Sequence, residues 1–409
     1  MISRPLTDLE HLYISIIPIN IQLGIEVDDP SVIPAYIKRI QNTSLAMHLR
    51  ADKDNLYHTN DVAPIFKLPE KTKNLQEAVT YAIQHCKTTQ SFPLAVLAAN
   101  SRHLVFNACH TFCDGKMLKT LVSEVQNPTN KKMPFLPVPI LTNFAEQLKG
   151  LPPLSHDYND PIITHLDNTH PKEEDKSDIF SNIFSKFNVQ DLKCFNNGKV
   201  KGLTEHLSSS LILAAKALGD LGDGYGLQGA MDLRPFLPGD RGEDLDIVDH
   251  VGNFIMTSKN PKTVHDLQQD LRKCIKDAVE KKTFLNHMVW DIQHYCTNEN
   301  NNEETKEPEF PVRGLGCYVS NVGQVRIKKP ITDIMMRVDM EEPYTMMSII
   351  AYSVVSEFEN SVRTHLTYGT KGTTKAYMEK LNRKFDYAMT KLNPQTSIND
   401  AIEILRKID

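Results

Sequence analysis

The sequence predicts a mixed α/β protein built in two halves, and three observations carry that prediction. Strand-like and helix-like segments interleave along the 409 residues. A proline-dense seam at 128–178 divides them. Beyond the seam the same mixture resumes, so each half reads as its own packed unit. The length also exceeds what one hydrophobic core ordinarily serves. The expected organisation is 1–127, a crossover at 128–178, and 179–409.

In the first half, 14–27 reads as an Ile-rich strand. Segments 30–41 and 75–86 carry apolar residues at helical spacing. Segments 92–98 and 104–109 read as two strands joined by the polar turn Asn100-Ser101-Arg102. After Gly115, the residues Met117, Leu118, Leu121, Val122 and Val125 line one face of a helix. The seam holds Pro128, Pro134, Pro137, Pro139, Pro152, Pro153, Pro161 and Pro171, then the charged run Lys172-Glu173-Glu174-Asp175-Lys176. Proline this dense blocks long helices and central strands, which predicts an extended crossover. In the second half, 204–218, 264–282 and 373–392 read as helices. Strands are expected at 227–231, 251–256, 316–320, 331–338, 345–354 and 362–368. The polar, acidic segment 298–309 reads as a solvated loop. A site between the halves is the natural place for a ligand.

Composition narrows the function classes. A net charge of -5 argues against a general nucleic-acid binder, because phosphate contacts need clustered Lys and Arg. The opening Met-Ile-Ser-Arg-Pro with its early acids makes a poor secretory signal. No run of about 18 apolar residues predicts a membrane span. The seven cysteines are odd in number and scattered, which fits a reducing, cytoplasmic setting better than a disulfide framework. Cys109 and Cys113 flank His110, but no second cluster at ligand spacing completes a metal site, so no metal is expected.

The spacing His-x-x-x-Asp occurs four times, at His48, His110, His156 and His287, where chance gives about one. Context separates them. Only His110 is followed by Asp114-Gly115, and only that copy lies between an expected strand and an expected helix. His48 falls in an expected strand, His156 in the proline-rich crossover, and His287 in a helix or turn. A histidine near its reference pKa of about 6.5 suits proton abstraction at neutral pH. A loop on a rigid scaffold is where such a side chain is usually presented. The competing reading makes Asp114 a helix N-cap and His110 a strand-end residue.

The segment His110-Thr111-Phe112-Cys113-Asp114-Gly115 resembles the signature of the CoA-dependent acyltransferase superfamily. That superfamily includes chloramphenicol acetyltransferase, alcohol O-acetyltransferases, mycobacterial polyketide-associated acyltransferases and peptide condensation domains. Arg4-Pro5-Leu6 with Leu9-Glu10 is similar to the opening of the alcohol acetyltransferase and mycobacterial branches. Asp232-Leu233-Arg234-Pro235, Gly252-Asn253 and Ser320-Asn321-Val322-Gly323 follow in the order and spacing of those branches. Two departures matter. Cys109 stands where condensation domains carry a first histidine, and the Asp-Phe-Gly-Trp-Gly motif of the plant branch is missing.

The resemblance implies a two-layer α+β sandwich in each of two chloramphenicol acetyltransferase-like subdomains, with a tunnel between them. It implies His110 as general base and Asp114 paired with Arg234, which with Gly115 holds the loop's shape. It further implies acyl-CoA as cosubstrate, no resident cofactor, and a small alcohol as acceptor. An amine acceptor, an acyl carrier protein as donor, and a non-catalytic binding role stay open. Ser320 and Asn321 are either oxyanion donors or strand-end turn residues. Asn253 with Gly252 either lines the tunnel or allows close packing. The Thr204 side chain reads as a helix cap. Lys116, Lys119, Lys199 and Lys201 read as solvated lysines and receive no role. The two halves supply the cleft within one chain, so a monomer is expected.

Overall fold

A computed structural model describes residues 2–11, 14, 19–86, 93–129, 133–152, 163–166, 180–219, 224–237, 249–291, 315–340, 346–369 and 373–409. The sequence readings at His156, Cys296, 298–309 and the charged run at 172–176 lie outside these residues.

Strands β2 (Ile19–Val27), β5 (Ile65–Lys67), β6 (Ala95–Ala99) and β7 (His103–Cys109) form a sheet with β15 (Ile331–Met340), in the order β15-β2-β7-β6-β5. β2 and β7 take central places because both faces of each are buried. Ile21, Leu23, Ile25 and Val27 of β2, with Leu104, Phe106 and Ala108 of β7, face one core. Helices α2 (Ile33–Thr43) and α4 (Gly115–Gln126) lie on that side. Val105 and Val96 face the other side, against α3 (Leu75–His85). A small sheet of β1 (Ile2–Pro5), β4 (Asn55–His58) and β3 (Leu49–Ala51) completes the half, with the short α1 (Asp8–His11) beside it.

The second sheet runs β13 (Val251–Ser258), β12 (Tyr225–Asp232), β14 (Leu315–Arg326), β16 (Met346–Val355), β17 (Asn360–Gly369), β9 (Phe180–Asn188). The short β8 (His165–Leu166) pairs beside β14. β14 is parallel to both β12 and β16, and the other pairs of that order are antiparallel. Helix α6 (Leu203–Leu218) is buried almost all round, as its Ala and Leu content requires. It packs with α7 (Val264–Lys281), α9 (Lys375–Thr390) and α10 (Ile398–Arg406). The hairpin β10 (Phe195–Asn196) and β11 (Lys199–Val200) precedes it. Helices α5 (Ile140–Leu148) and α8 (Thr283–Asp291) meet around Phe144 and Phe284 in a separate small core.

Three features depart from the sequence reading. The crossover is not wholly extended. Ile140, Leu141 and Phe144 sit at helical spacing, and Pro139 precedes the first turn of α5, where a missing N–H costs nothing. His48 closes a 3-10 turn rather than lying in a strand. β15 does not stay with the second half; it pairs antiparallel with β2 along its length. β14 and β16 also cross over. Their early residues Val319 and Ile349 enter the second core, whereas Val325, Tyr352 and Val354 enter the first.

Among the described residues no helix is long and apolar enough to cross a membrane. Among them, too, no group of three or more His, Cys, Asp or Glu is placed to hold a metal.

Candidate active site

β7 ends at Cys109, and the chain turns through His110–Phe112 before Asp114 caps α4. Phe112 and Cys113 are buried in the first core and fix the turn from below. The His110 ring stays 23% exposed, so solute can reach it. Burial presses its pKa down, but the adjacent Asp249 carboxylate, with Asp114 adding to it, makes the net shift upward.

Asp114 faces away from solvent, at 1% exposure, and its oxygens are taken by other groups. Oδ1 accepts from the Met117 N–H at 2.8 Å, the ordinary N-cap bond. Oδ2 accepts from the His250 N–H at 3.0 Å and lies 2.8 Å from Arg234 Nη2. Burial raises this carboxyl's pKa, yet the guanidinium and the two N–H groups hold it below the usual carboxylate value. Arg234 is in turn steadied by Asp232, whose Oδ1 is 2.9 Å from Nη1.

Sequence reasoning missed Asp249. Its Oδ2 lies 3.4 Å from His110 Nδ1, and its Oδ1 accepts from the Val251 N–H at 3.2 Å. Burial raises the carboxyl to about 6, against the opposing pull of His110. Antiparallel β12 and β13 bring Asp232 opposite Val251, so Arg234 and Asp249-His250 emerge together at one end of the hairpin. Two consecutive residues of the second half therefore grip the loop of the first. The Asp249 carboxylate meets the imidazole, and the His250 amide meets the cap.

The loop is also pinned from β14. A Cβ on Gly115 would lie 2.8 Å from Val322 Cγ2, so only glycine lets helix and strand approach this closely. We expect Gly115→Ala to cost about 1–3 kcal/mol by overpacking. Chemical denaturation checks this, and Val322→Ala in the same chain should return part of the loss.

Asn321 is engaged at both ends. Oδ1 accepts from the Gly323 N–H at 3.0 Å, and Nδ2 donates to Thr204 Oγ1 at 3.1 Å. Thr204 thus holds the bulge of β14, and the cap position of α6 belongs to Gly202. Cys317 and Val319 face the second core, which puts Tyr318 and Ser320 on the opposite, half-exposed face. Asn253 lies on that face as well, its Oδ1 accepting from Tyr318 Oη at 3.1 Å. Gly252 faces the other way, where a Cβ would meet Leu233 at 2.8 Å.

The other described histidines of the repeated spacing are placed differently. His48 lies 2.9 Å from the Gln41 carbonyl. His287 is buried, its Nε2 is 2.8 Å from Gln228 Nε2, and burial pushes its pKa down to about 4.

No family model matches the sequence, and no curated protein does. Solved structures share the fold over most of the chain. Polyketide synthase associated protein 5 from Mycobacterium tuberculosis superposes with a TM-score of 0.61 at 10% identity, covering 95% of this chain and 98% of its own. Trichothecene 15-O-acetyltransferase TRI3 from Fusarium sporotrichioides gives 0.60 at 10% identity, over 91% and 90%. The starter condensation domain of rhizomide synthetase, solved with C8-CoA, gives 0.60 at 10% identity, over 94% and 91%. The chain therefore has the acyltransferase and condensation-domain fold that its motifs resemble.

Proposed function

We propose that this chain is an acyltransferase that moves an acyl group, acetyl first among the candidates, from a CoA thioester to the hydroxyl of a small alcohol. The observation that carries the reading is His110, accessible yet enclosed where the halves meet, with a carboxylate on Nδ1. An Nδ1–H turned to Asp249 leaves the Nε2 lone pair to act as base.

In the proposed step, the acceptor O–H proton passes to His110 Nε2 as its oxygen bonds to the thioester carbonyl carbon. The carbonyl electron pair moves onto oxygen. When the C=O reforms, the C–S bond breaks and the leaving thiolate takes the proton from the imidazolium. Atoms and charge balance without an acyl-enzyme. The developing oxyanion needs a donor. One N–H of Asn321 Nδ2 goes to Thr204, so its second N–H and the half-exposed Ser320 hydroxyl are the two candidates. Asp114 and Arg234 act by holding the loop.

Thiol release from acetyl-CoA and longer acyl-CoAs, across a panel of alcohols and amines, tests the reading. Release above the His110→Ala background with an alcohol is expected. Faster release with amines makes the enzyme an N-acyltransferase, and release only from a carrier-bound thioester makes it condensation-like. No release with any pair overturns the transferase reading in favour of a binding protein.

Asp249 adds a pH prediction. The neutral imidazole is the active form, so rate rises with pH through the titration of the pair. The carboxylate favours the charged ring, so Asp249→Asn should move the acidic limb of the kcat profile to lower pH while lowering the plateau. An unmoved limb would remove Asp249 from the mechanism.

A further inference from the structure

A cavity of about 500 Å³ opens between α4 and the late residues of β14. Its lining begins at Lys116, in the first turn of α4 directly after the His110 loop, and reaches Gln126, about 15 Å further along the helix axis. Its walls are tied at both ends. Lys119 Nζ donates to the Val322 carbonyl at 3.2 Å. At the other end, Gln126 Nε2 donates to the Arg326 carbonyl at 3.1 Å and its Oε1 accepts from the Lys328 N–H at 2.9 Å.

The lining is strongly one-signed. Lys116, Lys119, Arg326 and Lys328 border the space against one carboxylate, Glu124. That carboxylate faces Thr129, accepting from its N–H at 2.8 Å and its Oγ1 at 2.6 Å. The cations come from both halves, Lys116 and Lys119 from α4, Arg326 from the end of β14 and Lys328 from the segment after it. A solvated lysine face on one helix does not produce this convergence.

We propose that this groove binds the nucleotide phosphates of a CoA donor, giving Lys116 and Lys119 the role the sequence alone withheld. The proposal rests on the acyl-CoA reading of the site. Clustered ammonium and guanidinium groups match a multiply charged phosphate ligand. The concave shape and volume suit a small molecule. A docked carrier protein would instead need a broad face of about 800 Å² per partner.

The probe is adenosine 3′,5′-bisphosphate, titrated calorimetrically into the full chain. Wild type should bind it, more weakly as salt rises from about 50 to about 200 mM. The Lys116→Gln/Arg326→Gln double variant should lose about tenfold or more in affinity. The ratio of kcat/KM for acyl-CoA over acyl-pantetheine, which lacks the nucleotide, should fall by a similar factor. The charge-keeping Lys116→Arg/Arg326→Lys pair, matched for melting temperature, should retain binding and so excludes a folding artefact. Equal binding by wild type and the charge-removed variant, or no binding, overturns the groove assignment. So does a loss of rate confined to a carrier-protein thioester. If wild type binds the probe through these residues but releases no thiol from any acyl-CoA, the groove stands and the transferase reading fails. If transfer proceeds and ignores the substitutions, the reverse holds.

Discussion

Replacing His110 with alanine should leave a folded protein whose turnover falls by about 10²–10⁴-fold, the contribution of a positioned general base. The loss should sit in kcat, because the ring meets the acceptor proton as bonds change rather than holding the donor. The fold should survive because the loop is anchored elsewhere, by buried Phe112, Cys113 and Asp114. The ring is 23% exposed, so its removal opens a space that water can enter and not a sealed void. Equal melting temperatures with a collapsed kcat are the expected pair of measurements. Wild-type turnover in a purified His110→Ala protein would end the mechanism.

Asp114→Ala should be the most destabilising substitution at the site. It leaves the guanidinium of Arg234, only 9% exposed, without its main partner. Breaking a buried pair on one side costs about 3–5 kcal/mol. It also strips the N-cap bond to Met117 and the acceptor of the His250 amide. Asp114→Asn keeps an oxygen for the cap and should lose less, and comparing the two variants by urea unfolding separates charge from hydrogen bonding. The pH dependence has a definite sign. Asp114's folded pKa lies below its unfolded value of about 3.9, so its contribution is present above that value and is lost as pH falls through the folded one. Below about pH 4, the stability gap between wild type and Asp114→Asn should therefore narrow. A constant gap down to acid unfolding would mean the carboxylate is not the species that matters.

Local chemistry made the His110 loop legible. A nearly continuous apolar strand, a histidine, a capping aspartate and a glycine leave few other conformations. Arg234 was legible only through resemblance, since nothing local marks which arginine pairs with Asp114. Asp249 was not legible, because it follows Asp240, Glu243, Asp244 and Asp246 and no local pattern singles out one of these carboxylates. Its meaning arises only when β12 and β13 pair and carry it to the imidazole. The signal that could have found it was the pair of expected strands 227–231 and 251–256, since pairing them brings the residues after the first beside those before the second. β9 escaped for another reason. Phe180, Ile183, Phe184 and Phe187 are spaced as on a helix, and long pairing with β17 overrides that pattern. β15 was recognised as a strand, but which sheet it joins depends on contacts some three hundred residues away in sequence.

That stray strand bears on how a substrate gets in. With β15 laced to β2, and β14 and β16 rooted in both cores, the lobes are sewn together by backbone. An opening that parted the cores would have to pull Val325, Tyr352 and Val354 out of the first one, and burying such a side chain is worth about 1.5–3 kcal/mol. Access to the His110 ring, which is 23% exposed, then requires no parting of the two cores.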